Sequence, residues 1–179
     1  MKQLSENILD ITMNSVRAGS PLTEVSVTEE GSMLTLLIKD CGCGMTAEQV
    51  ANVTDPFFTT RTTRKVGLGL PFLKMEAELT GGSFSIESTV GVGTEVKASF
   101  DMSHIDAIPL GDIPETIMTI IGAAPDKDLI FTHTSGEKQI SLDTRDLRAQ
   151  LDGVPLDTPD VLVWVKEYLE SVYAEEFGN

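Results

Sequence analysis

Three shortages constrain this 179-residue chain before any motif is considered. Cysteine is nearly absent. Cys41 and Cys43 are the only two, one glycine apart, so there is no disulfide framework and too few thiolates for a zinc site. Both read as small residues in a tight loop, with a redox role as the alternative. No apolar run approaches the twenty or so residues that span a bilayer. Met1–Ser5 leads straight into a helical pattern with no leader-like apolar stretch, so the expectation is a cytoplasmic protein. Basic residues are also scarce. Thirteen Lys and Arg against 28 Asp and Glu leave a formal charge of −15, which argues against nucleic acid or an anionic membrane as partner. Against that background Arg61, Arg64 and Lys65, standing close together, point to a polyanion, the alternative being a solvated basic turn.

What is present begins with a helix. In Gln3–Ala18 the residues sort at helical spacing. Gln3, Asn7, Asp10, Asn14 and Arg17 share one narrow stripe, with Glu6 at its edge, and both flanks are apolar: Leu4, Ile8, Ile11 and Ala18 on one side, Leu9, Met13 and Val16 on the other. A helix apolar around most of its circumference is largely buried, so its amide, carboxylate and guanidinium groups need partners such as a metal, a phosphate or water. The plainer alternative is an amphipathic helix with a thin wet edge.

Gly19-Ser20-Pro21 ends this helix. Thr23–Glu29 and Met33–Lys39 then read as a hairpin about Glu30-Gly31-Ser32. Thr46–Asn52 reads as a short helix with a Thr46/Gln49 capping box. A further helix opens at Gly67-Leu68-Gly69-Leu70 and runs to about Thr80, and Ser83–Ser88 with Thr94–Phe100 make a second hairpin. Beyond Met102 the pattern changes. Ile105–Pro114 reads as extended, Glu115–Ile121 as a short helix, Leu129–His133 with Lys138–Leu142 as a hairpin, and Thr158–Phe177 as a long helix. The expected fold is α+β: one sheet with helices on one face, a two-layer sandwich over residues 1–102, followed by a small α+β extension over residues 103–179 that packs back on it or forms a dimer contact.

Three features carry chemistry. Asp40-Cys-Gly-Cys-Gly44 follows a strand, where a carboxylate at the strand end can accept from an exocyclic amine while the glycines let the backbone approach a flat base. Gly67-Leu-Gly69-Leu70, at a helix start, offers free N–H groups and a positive helix end to phosphate oxygens. The polar stripe supplies the third. Each alone is commonly a turn or a wet edge; their order along one chain is more specific.

In that order Asn14, Asp40-x-Gly-x-Gly, Asp55-Pro-Phe-Phe, Gly67-x-Gly-Leu and Gly91-x-Gly-Thr resemble the GHKL superfamily of ATPases, which includes DNA gyrase, the ninety-kilodalton chaperones, sensor histidine kinases and MutL repair proteins. The resemblance covers roughly residues 1–102, lies nearest the kinase branch, and is closest to small stand-alone bacterial proteins of histidine-kinase-like type. It implies the two-layer Bergerat fold with ATP and Mg²⁺ as cofactors. Asn14 would ligate the metal. Asp10 falls where gyrase-like members carry the carboxylate that activates water, and Arg17 would reach the phosphates. Asp40 would hold the adenine amine, supported by Thr94 through water, with Gly42 and Gly44 lining the base. Thr59, Thr60, Arg61, Arg64 and Lys65 would form the lid, Gly67 and Gly69 would wrap the polyphosphate, and Met45, Phe58, Leu68 and Leu70 would also belong to the nucleotide-binding set.

Sensor kinases carry a helical hairpin with a phosphorylated histidine ahead of this domain, and the expectation is that this protein has no such hairpin. His104 and His133 are the only histidines, neither on a convincing helix, which weighs against autophosphorylation in cis. Two enzyme readings follow: a protein kinase acting in trans on a separate partner, or a slow ATPase using Asp10. The alternative is a non-catalytic ATP-sensing interaction module. Expected partners are ATP or ADP and an unidentified protein, with a homodimer allowed.

Overall fold

The computed structural model describes residues 3–55, 57 and 68–178. Its elements are α1 (Leu4–Arg17), β1 (Leu22–Glu30), β2 (Met33–Asp40), α2 (Ala47–Val53), α3 (Gly69–Leu79), β3 (Phe84–Thr89) and β4 (Gly93–Asp101), followed by α4 (Ile113–Ala123), β5 (Asp128–Ser135), β6 (Lys138–Asp143), α5 (Thr144–Leu151) and α6 (Pro159–Phe177). All six strands form one sheet in the order β3-β4-β2-β1-β5-β6.

Strand alternation decides which face is covered. Val25 and Val27 of β1, Leu34, Leu36 and Ile38 of β2, Val96, Ala98 and Phe100 of β4, and Leu129 and Phe131 of β5 are all buried. The register sets them side by side, Val25 opposite Ile38 and Leu36 opposite Ala98. The alternate positions carry Glu24, Lys39 and Glu95, aligned across three strands on the open face. One apolar face and one polar face make a two-layer α+β arrangement. Apolar side chains of α1, α3, α4 and α6 join those of the strands in a single hydrophobic cluster.

The chain beyond residue 102 continues this sheet. β4 is antiparallel to β2 and β2 to β1, so β4 and β1 run the same way, and β5 pairs with β1 in parallel. The β4–α4–β5 connection is therefore a crossover that passes over two strands. α4 is capped by Asp112, which accepts from the Glu115 N–H at 2.9 Å, and Pro114 sits in its first turn, where no N–H is needed. The stretch expected to stay extended through Pro114 thus ends two residues earlier. Its carbonyls have a purpose: Pro109 and Leu110 accept from the Leu4 and Ser5 N–H groups at 2.9 and 2.8 Å, satisfying the first turn of α1, for which Gln3 supplies no side-chain cap.

α5 went unread in the sequence. Asp143 caps it by accepting from the Arg145 N–H at 2.9 Å, but within it only Leu147 is a fully buried apolar residue, too little for a visible period. The capping box on α2 forms as expected, with Thr46 accepting from Gln49 N–H at 3.2 Å and Gln49 accepting from Thr46 N–H at 2.9 Å. No helix among the described residues is long and apolar enough to cross a membrane.

Candidate functional site

Asp40 ends β2 on the same alternation as Leu36 and Ile38, so its carboxylate is delivered to the helix-covered face. It is 9% exposed. Ser15 of α1 donates its hydroxyl to Oδ2 at 2.6 Å, while the Gly42 and Thr94 N–H groups donate to Oδ1 at 2.9 and 3.1 Å. An ionised carboxylate offers about four acceptor positions. Among the described residues three are used, which leaves Oδ2 able to take one more donor. The Thr94 contact to Asp40 is a direct backbone bond.

The loop after Asp40 is stitched to the β3–β4 hairpin. Ser88 Oγ accepts from the Met45 N–H at 2.8 Å and shares a hydrogen bond with Thr94 Oγ1 at 2.8 Å, and the Cys43 carbonyl accepts from the Gly91 N–H at 2.8 Å. Gly44 sits at φ +69°, and a Cβ there would run into the Thr89 carbonyl, so both its conformation and its clearance demand glycine. The result is a rigid, backbone-lined floor beside a carboxylate with a free acceptor position.

The polar stripe of α1 grades from buried to exposed. Asn7 is fully buried, Asp10 and Asn14 are half-buried, and Arg17 is exposed with its Nη1 donating to Asn14 Oδ1 at 2.8 Å. Asp10 lies against the first residue of α3: a Cβ on Gly69 would collide with its carboxylate. A carboxylate at a helix N-terminus is electrostatically favoured, and this contact brings the stripe to the second glycine loop. Leu68, ahead of that helix, is about half exposed, while Leu70 turns into the core. Among the described residues no cluster of three His, Cys, Asp or Glu could cage a metal by itself. Phe58, Thr59, Thr60, Arg61, Arg64, Lys65 and Gly67 lie outside the described residues.

Sequence reasoning missed Ser15 and Ser88. Ser15 sits on the apolar flank of α1, and a lone hydroxyl there was the available signal, because a buried polar group must find a partner. Asn7 has the opposite character: neither side-chain atom of this buried amide has a hydrogen-bond partner among the described residues. The two histidines differ sharply. His133 is 2% exposed and held on both ring nitrogens, by Tyr173 and Glu29, each at 2.7 Å. His104 is exposed in the loop after β4, its Nδ1 accepting from the Asp106 N–H at 3.1 Å.

Residues 1–104, more than half of the chain, match the sequence model of the family described as histidine kinase-, DNA gyrase B-, and HSP90-like ATPase, and the chain belongs to that family. It is 37% identical over 101 residues to the sensor protein SrrB of Staphylococcus aureus, a match covering 52% of this chain and 17% of SrrB. It is 35% identical over 103 residues to an uncharacterized sensor-like histidine kinase of Rhizobium meliloti, covering 54% of this chain and 20% of that one. The matched part is thus a fifth or less of either relative's length. Among solved structures, the N-terminal domain of a DNA repair protein aligns over 80% of this chain and 53% of its own with a TM-score of 0.57; at 14% identity the likeness is one of fold. Residues 1–104 are an ATP-binding domain of the histidine-kinase-like type.

Proposed function

We propose that this protein binds Mg·ATP with the adenine amine on Asp40 and the polyphosphate between α1 and the start of α3, and that it transfers the γ-phosphoryl group to a residue of a separate protein. The observation carrying this reading is the Asp40 carboxylate, oriented by three donors and left with one acceptor position beside a backbone-lined floor. A flat base with an exocyclic amine fits that chemistry.

The remaining roles follow the same logic. Asn14 would supply the protein's ligand to Mg²⁺, a hard cation that keeps several waters and is otherwise held by phosphate oxygens, so a full protein cage is unnecessary. Phe58 would contact the nucleotide, while Arg17, which already reaches Asn14, and the lid of Thr59, Thr60, Arg61, Arg64 and Lys65 would neutralise the polyphosphate through their cationic side chains. Gly67, Leu68 and Gly69 would surround it with backbone N–H groups. Met45 would lie along the base, and Leu70 would anchor the loop from the core side. Positioning and charge neutralisation supply most of the catalysis in such transfers. An acceptor on a partner is favoured because His133 is buried with both ring nitrogens engaged and the exposed His104 sits in a loop, not on a helix such as carries the phosphorylated histidine of sensor kinases.

A second reading is slow hydrolysis, favoured by a specific observation. Asp10, a carboxylate able to take a proton from water, sits against Gly69, where the γ-phosphate would end. Incubation with Mg·ATP labelled on the γ-phosphate separates these. Label appearing on a protein from the native cell supports transfer. Free phosphate without transfer, lost in Asp10→Asn, supports hydrolysis. Tight binding with neither indicates a nucleotide-sensing module that presents residues 103–178 to a partner.

A further inference from the structure

The loop that follows Asp40 carries two thiols. Cys41 and Cys43 are both exposed and reduced, with a single buried glycine between them. The three consecutive amides of this loop are each held from below: Cys41 N–H donates to Ser20 Oγ, Gly42 N–H to Asp40 Oδ1, and Cys43 N–H to the Ala18 carbonyl, all at 2.9 Å. The backbone therefore faces the Asp40 site while the sulfurs face solvent. Metal binding does not explain the pair, since no third metal-ligating side chain joins them among the described residues.

We propose that Cys41 and Cys43 are a redox dithiol, taking a low-molecular-weight disulfide as reactant, whose closure to an intramolecular disulfide weakens nucleotide binding at the adjoining carboxylate. The coupling rests on the nucleotide-binding role assigned to Asp40 above; the dithiol itself does not.

The exchange balances. One thiolate attacks a sulfur of the small disulfide RSSR, whose S–S bond breaks and whose departing sulfur leaves as RSH after protonation. The second thiolate attacks the protein sulfur of the mixed disulfide, forming the Cys41–Cys43 bond and releasing the other RSH. The protein gives up two electrons and two protons, and the small disulfide gains both.

The local geometry ties ring closure to the site. The chain already bends at Gly42 and Cys43, but with both thiols free the Cβ atoms must still come to about 3.5–4.5 Å for a disulfide, so closure has to turn the backbone further about Gly42. That residue is packed tightly: a Cβ there would stand 2.9 Å from the Ala18 Cβ and 3.2 Å from Asp40 Oδ1. The Gly42 N–H holds Asp40 Oδ1 at 2.9 Å in the present conformation, so a further turn in this packed loop would pull it away and remove one of the three donors that aim the carboxylate. Loss of one hydrogen bond to a charged group corresponds to a fall in affinity of about tenfold or more. A bridge that is both strained and exposed is also readily reduced, so the change is reversible. By linkage, bound nucleotide must favour the dithiol by the same factor.

The test equilibrates the full chain in mixtures of oxidised and reduced glutathione, traps free thiols by alkylation and reads the mass. The expected product is a monomer lacking two hydrogens and carrying no glutathione. Excess ATP is expected to move its midpoint toward a more oxidising mixture, and the oxidised protein is expected to bind ATP at least about tenfold more weakly until dithiothreitol restores it. Cys41→Ser should stop at a glutathione adduct on Cys43 and keep its ATP affinity in either mixture. A stable adduct on the unaltered chain, or a disulfide-linked dimer, overturns the dithiol. Ring closure with ATP affinity and midpoint both unmoved overturns the coupling. Ring closure in a protein that binds no ATP even when reduced overturns the nucleotide assignment and the coupling with it, while the dithiol stands on the mass alone.

Discussion

The contact between Ser15 and Asp40 offers a prediction whose size can be worked out. Both residues are more than nine-tenths buried, and the hydroxyl donates to the carboxylate at 2.6 Å, in the short range of a charge-assisted bond. Ser15→Ala removes one oxygen and opens no cavity of consequence. It deprives Oδ2 of its donor in a site that water reaches poorly, at a cost of about 1.5–3 kcal/mol. Urea unfolding of the unaltered chain, Ser15→Ala, Asp40→Ala and the double variant isolates the pair as a cycle. The expected coupling is about 1–2 kcal/mol, because once Asp40 is gone the loss of the hydroxyl should matter little. Fluorescent-nucleotide titration of Ser15→Ala should show affinity about tenfold weaker, since an unanchored carboxylate presents its free acceptor position poorly. A coupling within about 0.3 kcal/mol of zero refutes the reasoning, for it would mean the two side chains do not support each other.

Three further predictions address other parts of the molecule. Gly69→Ala should destabilise the chain by about 1–3 kcal/mol because the new methyl overlaps the Asp10 carboxylate. In an Asp10→Ala background the same change should be stabilising, by up to about 1 kcal/mol, from helix propensity, and thermal unfolding of the four proteins checks this change of sign. Asn7→Leu replaces a buried amide without partners among the described residues by an apolar side chain of similar size, so denaturant unfolding should show a gain of about 1–3 kcal/mol; a loss would mean that the amide is engaged in the folded protein. Burial, helped by the Glu29 carboxylate, pushes the Tyr173 phenol well above its ordinary value of about 10. The native state then holds a proton that the unfolded chain releases, so this contribution to stability is fully present below about pH 10 and is lost as pH rises beyond it. Unfolding followed against pH should show a steeper alkaline decline in the unaltered chain than in Tyr173→Phe.

Much of the fold was legible because the signals were local. The stripe of α1, the alternation of β1 and β2, and the Thr46/Gln49 box each depend on residues within a few positions of one another. The parallel pairing of β5 with β1 depends on neighbours separated by more than a hundred positions, and alternation reveals only which face a strand buries, not which strand lies beside it. The same limit hid the Pro109 and Leu110 carbonyls that complete the first turn of α1, as backbone acceptors have no sequence signature. At the site, Asp40 and the glycines around it were readable from residue type and order. Ser15 was not, because a serine on an apolar helix flank is equally compatible with a bond to its own backbone.

The most direct test of the central assignment is calorimetric titration of Mg·ATP into the unaltered chain and into Asp40→Asn. The variant preserves size. With its oxygen held by the Gly42 and Thr94 N–H groups, its NH₂ replaces Oδ2 as a donor where the adenine amine also donates. The account predicts measurable binding by the unaltered chain and affinity weaker by about thirtyfold or more in Asp40→Asn, with the variant still cooperatively folded. Equal affinity in the two proteins would contradict it.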